Sequence, residues 1–484
     1  VRRNVFNGAA RVRRPLRSAV LLAAASLSAC SGVTNLFTGP SPAIPGVEHL
    51  SGFIGGVVAD EPRAALVARE VLATGGNAAD AATALGFALS VTYPSRASLG
   101  AGGACLAFNP LHDGPGNGVP EAILFMPRAA AAVAPGADRP AAVPMLARGL
   151  FALHDRYGRQ PFEPLVLPAQ SLAQGGVVMS RAFATDLALV AGPLLADPTA
   201  RAIFAGPGGR PLGEGDRLLQ PALGATLGQL RNSGVGDMYQ GVLAHQLADA
   251  TARAGGAIGL ADLRAALPLT APAILQTDGR DRVAFLPPPA DGGLAAAAAF
   301  GVLQTRPGDV AAAGARALAV AARWRSRGGD PAAVLAAGNL PAASLPALPA
   351  STGFATLDRD GNAVACVVTM NNLFGTGRVA PGTGIVLAAS PADVPAPLLA
   401  ASIAYNPNRV GFRAAVTGTG QDGAALAAAV AMLNTLRSLA PMPAPVPEPG
   451  RADVIACPGY LPDNDATCRW AVDPRGAGLA IGAN

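Results

Sequence analysis

Lysine is absent from the 484 residues, so all 36 basic side chains are arginine. That removes both the lysine of a phosphate-binding P-loop and any lysine general base. Histidine is almost as scarce. His49, His112, His154 and His245 lie singly, and no Cys–His group has the spacing of a zinc site. Aromatics make up 5% of the chain, and its 51% hydrophobic content is carried mostly by alanine, a bias of coding rather than of function. Long apolar runs are missing too. The longest near the start, "AVLLAAASLSAC", is too short to span a bilayer.

A real excess of positive charge is also lacking. The formal net charge is +5, but residues 1–29 hold Arg2, Arg3, Arg11, Arg13, Arg14 and Arg17 and no acid. The rest carries 30 arginines against 31 acids, which gives no support to a nucleic-acid partner. The arginine-rich start, the short apolar run and the small residues before Cys30 have the form of an export signal. "LSAC-SG" resembles a bacterial lipobox, in which Cys30 becomes the lipidated first residue. The expected arrangement is a signal over 1–29 and a tether over 30–50, with the protein held by its lipid at a membrane on the periplasmic side.

Export permits disulfides. Beyond Cys30 there are four cysteines, and Cys457 and Cys468 enclose a polar, turn-rich loop that a bridge between them could pin. Cys105 and Cys366 sit inside apolar runs and are expected to be buried thiols.

A short strand in "GFIGGVVADE" leads into a helix from about Pro62 to Thr74, which stops at "GGN" before a second helix from Ala78 to Val91. The following "GAGG" lacks a lysine and runs into strand residues, so it is a poor phosphate loop. Residues 141–265 read as mainly helical, and after "FLPPPADGGL" a further helical run reaches Gly328. Residues 328–350 are loose and aperiodic, the expected exposed, cleavable linker. Then the pattern changes to a hairpin: Ser351 onward, a turn at "DRDGN", and a return through "AVACVVTM". The glycine of that turn comes too early for a calcium-binding loop.

A strand that begins at a hydroxyl residue directly after a disposable linker has a chemical use. If the chain is cut before Ser351, the residue gains a free α-amine with a pKa near 7.7, able to take the proton of its own hydroxyl. Neither histidine nor lysine is needed.

Over about residues 54–435 the sequence resembles the γ-glutamyltransferase (glutathione hydrolase) family. "GGNAADAA", "LFMPRAAAAVAP", "PPPADGGL" and "LDRDGNAVACVVTMNNLFGTGRVAPGTGIVL" follow family segments in order. The resemblance implies an α/β fold, a four-layer αββα sandwich of the N-terminal-nucleophile type. It implies a precursor cut into a large chain, 51–350, and a small chain, 351–484, that stay together. Ser351 takes the nucleophile position and Thr352 the supporting one, with Thr369 and Asn371 near the nucleophile and bound substrate. Arg128 and Asp393 fall where the family grips the carboxylate and amino group of a small γ-glutamyl compound. The family's glycine-pair loop is replaced by "GTGQDG", so that Gly420, Gln421 and Asp422 stand where oxyanion donors are expected, on a loop left flexible by its glycines. No cofactor or metal is implied. Two alternatives stay open beside a γ-glutamyl enzyme: a degenerate member serving as a binding or structural lipoprotein, and an acylase acting on another amide.

Overall fold

In the computed structural model, which describes residues 49–131, 137–438, 441, 443 and 445–483, two antiparallel sheets lie face to face. The first has seven strands: β1 (Gly55–Ala59), β2 (Gly102–Phe108), β3 (Glu121–Phe125), β4 (Leu269–Pro272), β7 (Ser351–Asp358), β8 (Ala363–Thr369) and β13 (Leu479–Ala483). Their order is β13-β1-β7-β8-β2-β3-β4. The second contains β5 (Ile274–Asp278), β6 (Asp281–Phe285), β9 (Ala400–Asn406), β10 (Gly411–Thr419), β11 (Arg451–Leu461) and β12 (Arg469–Ala471), ordered β12-β11-β10-β9-β6-β5.

Three apolar cores separate four layers. Leu106, Leu357, Ile403 and Ile455 fill the space between the sheets. Helices Pro62–Ala73, Ala78–Thr92 and Leu146–Tyr157 cover the outer face of the first sheet through Leu85, Phe87 and Leu150. Helices Asp291–Thr305, Val310–Arg327 and Ala424–Ser438 cover the second through Phe300, Ala317 and Met432. The inner strands are buried on both faces, so they read as near-continuous apolar runs, whereas β4, β5 and β12 at the edges keep exposed positions. The expected αββα sandwich is the fold observed. Cys30 and the signal and tether read over 1–48 lie outside the described residues.

The segment "GGNAADAA" is architectural. Asn77 Oδ1 accepts from Asp80 N at 2.9 Å and Asp80 Oδ2 accepts from Asn77 N at 2.9 Å, a reciprocal cap on the second helix. Ala78 N donates to Asp358 Oδ2 at 3.0 Å, tying that helix start to the hairpin turn. "GAGG" is architectural as well: a Cβ on Gly103 would meet the Val367 carbonyl at 2.5 Å, so glycine is there for close strand packing.

Two expectations need correction. Cys105 and Cys366 are not free thiols but form a disulfide, as Cys457 and Cys468 also do. The first pair face each other directly across β2 and β8, a register that two apolar runs could not disclose by themselves. The linker is also less loose than its composition suggests. Pro331–Ala336 form a short helix, and Leu348, only 4% exposed, packs into the core under the second sheet.

Candidate active site

β7 starts inside the first sheet, at Ser351, and its Ser351 end projects beyond the neighbouring β1. The β1 register ends at Ala59 opposite Phe354, with one further bond from Asp60 N to the Gly353 carbonyl. The chain then turns away because Glu61 caps the helix that Pro62 begins, accepting from Ala64 N at 2.8 Å. On its other side Ser351 lies opposite Thr369 of β8.

Ser351 is 1% exposed. Thr369 Oγ1 donates to the carbonyl oxygen of Ala350 at 2.8 Å and accepts from Asn371 N at 3.0 Å, which fixes the direction of its hydroxyl. Asn371 is buried at φ +55°; its amide donates to the Ala389 carbonyl at 3.2 Å, and its Oδ1 finds no partner among the described residues. Thr352 Oγ1 donates to Asp60 Oδ2 at 3.0 Å, and Gly353 N donates to the same oxygen at 2.8 Å. Arg96 Nη1 donates to the Ser351 carbonyl at 2.9 Å. Its Nε and Nη2 grip both oxygens of Asp186, each at 2.7 Å, and Ser95 Oγ adds a bond to Asp186 at 2.8 Å.

Burial pushes the Asp60 carboxyl upward, against the opposing pull of the Gly353 N–H and Arg96. Burial raises Asp453 further, and the charge of Asp60 adds to that rise. For Arg96 burial works against the charge, but Tyr93 and Asp186 more than offset it, and it remains a cation.

Ala350 opens onto a cleft of about 500 Å³ whose walls include Asp60, Arg96, Arg181, Thr419, Gly420 and Gln421. The 418–423 segment is not a flexible loop. β10 runs through Thr419, Gly420 turns at φ +97° where a Cβ would run into the Pro449 carbonyl, and Gln421–Gly423 form one tight turn into the helix Ala424–Ser438. Gly420 and Gln421 line the cleft, whereas Asp422 is exposed outside it.

The structure thus brings Ser351, Thr352, Thr369, Asn371, Gly420 and Gln421 to one end of the sheets. Arg128 and Asp393 are not among the residues that line this cleft. The Arg128 guanidinium is exposed and donates to the carbonyls of Ala265 and Leu267 at 3.2 and 3.3 Å, and Asp393 is exposed next to the turn at Ser390. Asp60, Arg96 and Asp186 were not singled out from sequence; nothing in their local segments marks them, since Asp60 and Arg96 meet β7, and Asp186 meets Arg96, only in the fold. Among the described residues no group of three or more His, Cys, Asp or Glu is placed to hold a metal.

A family model described as Gamma-glutamyltranspeptidase matches residues 64–337 and 336–412, well over half of the chain. The chain belongs to the gamma-glutamyltranspeptidase family. It is 30% identical over 390 residues to the glutathione hydrolase proenzyme of Escherichia coli, covering 69% of this chain and 65% of that protein, just under two thirds of its length. It is 31% identical over 229 residues to the Acylase ACY 1 proenzyme of Pseudomonas sp. SE83, covering 44% of this chain and 41% of that one. In fold it is similar to the cephalosporin acylase of Bacillus halodurans, with a TM-score of 0.71 at 19% identity, over 92% of this chain and 98% of that one. The two-sheet fold is shared with that acylase structure.

Proposed function

We propose that this family member is a self-cleaving amide hydrolase or transferase whose nucleophile is Ser351, and that it acts on the γ-glutamyl group of a small molecule. One observation carries the reading: the Thr369 hydroxyl sits 2.8 Å from the Ala350 carbonyl oxygen, at the bond that must break. In self-cleavage, Ser351 Oγ adds to the Ala350 carbonyl carbon and the charge developing on the oxygen is met by Thr369. The Ala350–Ser351 C–N bond breaks, the nitrogen takes up a proton, and the chain is briefly held by an ester on Ser351 Oγ. Water hydrolyses that ester, leaving the Ala350 carboxylate and the Ser351 α-amine. Burial supports an internal cut. Leu348 and Ser351 are 4% and 1% exposed, so an outside protease has little access to the bond.

In turnover the α-amine takes the Ser351 hydroxyl proton, the acyl group of substrate moves to Oγ, and the amine of the substrate leaves with a proton. Water or a second amine then releases the acyl group. The position of Asp422 outside the cleft favours activity, since it keeps a carboxylate away from the forming oxyanion. A second reading, an acylase for another amide, is favoured by the placement of Arg128 and Asp393, neither of which lines the cleft. The proposal includes location: an exported protein lipidated at Cys30, supported by the arginine-rich start and the "LSAC" ending. Labelled fatty acid should be incorporated by the wild type and not by Cys30→Ala.

Mass spectrometry of purified protein tests the core of it. A C-terminal chain beginning at Ser351 is expected, cutting should persist in Ser351→Thr, and Ser351→Ala should stay whole. Cutting in Ser351→Ala, or at another bond, removes Ser351 as nucleophile. A γ-glutamyl anilide against a glutaryl anilide, which lacks the α-amino group, separates the two substrate readings.

A further inference from the structure

β7 depends on side chains where its neighbour has run out. In an antiparallel strand alternate residues turn their N–H and C=O to the same side. Gly353 uses both groups toward β1, bonding Asp60 N and Asp60 Oδ2, so Ser351 presents its nitrogen and carbonyl to that same side, past the last β1 residue. There the Ser351 carbonyl meets Arg96, in place of a ladder partner. Arg96 comes from the short helix Pro94–Ala97, and the other edge of its guanidinium is held by Asp186, from helix Arg181–Leu194, with Ser95 beside it. Three of its N–H bonds are therefore committed, and the fork cannot swing without breaking a two-point grip on a carboxylate that is 2% exposed.

Resting on the reading of Ser351 as nucleophile, we infer that Arg96, locked by Asp186, is a positioning residue that holds the nucleophile end of β7 in register. A cut strand end frays unless it is tied down. Before the cut the chain N-terminal to Ser351 restrains it; afterwards the β8 ladder, Asp60 and Arg96 remain. Arg96 also places a fixed positive charge on the side to which the Ser351 nitrogen turns, which disfavours the ammonium form of the new α-amine and keeps more of it able to accept a proton. Among the described residues, the other charged or titratable groups near this end are Asp60 from the end of β1, Tyr93 beside Arg96, Asp186 and Arg181 from the long helix, Arg451 and Arg475 across the cleft, and buried Asp453 of β11, which feels the charge of Asp60.

Arg96→Gln keeps a hydrogen-bond donor, but one that ends where Nε stood, short of the Ser351 carbonyl, and it removes the charge and the fork. The rate of self-cleavage, read by mass spectrometry, and kcat on a γ-glutamyl or glutaryl anilide should both fall by about 10²-fold, the scale of a misplaced reacting group. KM should stay within about twofold, because uniform binding is untouched. The acid limb of the kcat/KM profile should move to higher pH, as the α-ammonium loses a repelling neighbour while Asp60 and Asp186 remain. Arg96→Lys, with charge but no fork, should recover the pH limb and only part of kcat. If Arg96→Gln does not fold, the Lys variant and Asp186→Asn carry the test, each expected to lower kcat at unchanged KM. Wild-type kcat, self-cleavage and pH profile in Arg96→Gln overturn the inference. Cutting that persists in Ser351→Ala overturns the reading beneath it instead, and the two failures are read from different variants.

Discussion

Thr369 uses its hydroxyl twice, accepting from Asn371 N and donating to the Ala350 carbonyl, so its proton has one place to go. Thr369→Val keeps the shape and deletes the donor. Self-cleavage should slow by about 10²–10³-fold, as when one oxyanion donor is lost, while Thr369→Ser should cut nearly as fast as wild type. A pulse of newly made protein followed by mass spectrometry over time measures both; an unchanged rate in the Val variant would move the oxyanion donor elsewhere. At this scale the family resemblance marked Ser351 and Thr369, and the hairpin explains why both could be read: one short β7–β8 register sets them opposite each other. The sequence was silent about Asp60 and Arg96, which lie 292 and 255 positions from the β7 residues they bind. A contact of that span leaves no local pattern to read.

Among the elements, the hairpin turn carries a titration of its own. Asp358 accepts from Ala78 N, Asp360 N, Asn362 N and Asn362 Nδ2, binding the turn to the start of the second helix. Burial raises its carboxyl from 3.8 to about 6, and the bonds from Asn362 and Ala78 only partly resist. The folded protein then holds that proton more tightly than the unfolded chain does. The Asp358 contribution therefore favours the fold in acid, declines as pH rises from about 4 to 6, and stays at its lower value above that. Converting the shift gives about 3 kcal/mol. Denaturant unfolding of wild type and Asp358→Asn at several pH values isolates it: the stability of wild type relative to the variant should drop by about that amount between pH 3.5 and 7. A difference that does not vary with pH would remove the titration from Asp358. Turns and caps such as this one are written in short motifs, and so they could be read. The 418–423 segment could not, because its glycines look like freedom in sequence, while the Pro449 carbonyl that demands Gly420 comes from another part of the chain.

At the scale of the molecule, a chain cut before Ser351 leaves two interleaved pieces. The first sheet takes β1 to β4 from one piece and β7, β8 and β13 from the other, and the second sheet is likewise shared. The last strand, Leu479–Ala483, returns to the edge beside β1, a closure that an aperiodic tail gave no hint of. The Cys105–Cys366 bridge spans 261 positions and crosses the cut, with one cysteine on each side. On a denaturing gel the mature protein should run as one species without reductant and as two with it. Cys366→Ala should give two under both conditions, and Ser351→Ala one under both; two bands without reductant in wild type would rule the bridge out. Where the bridge holds, unfolding the mature protein never separates its halves. Refolding is then unimolecular, with a rate and yield that dilution does not change, whereas the reduced pieces must find each other by collision. Dilution therefore cannot undo the bridged protein: the pieces of one molecule can be driven apart in shape but never in space.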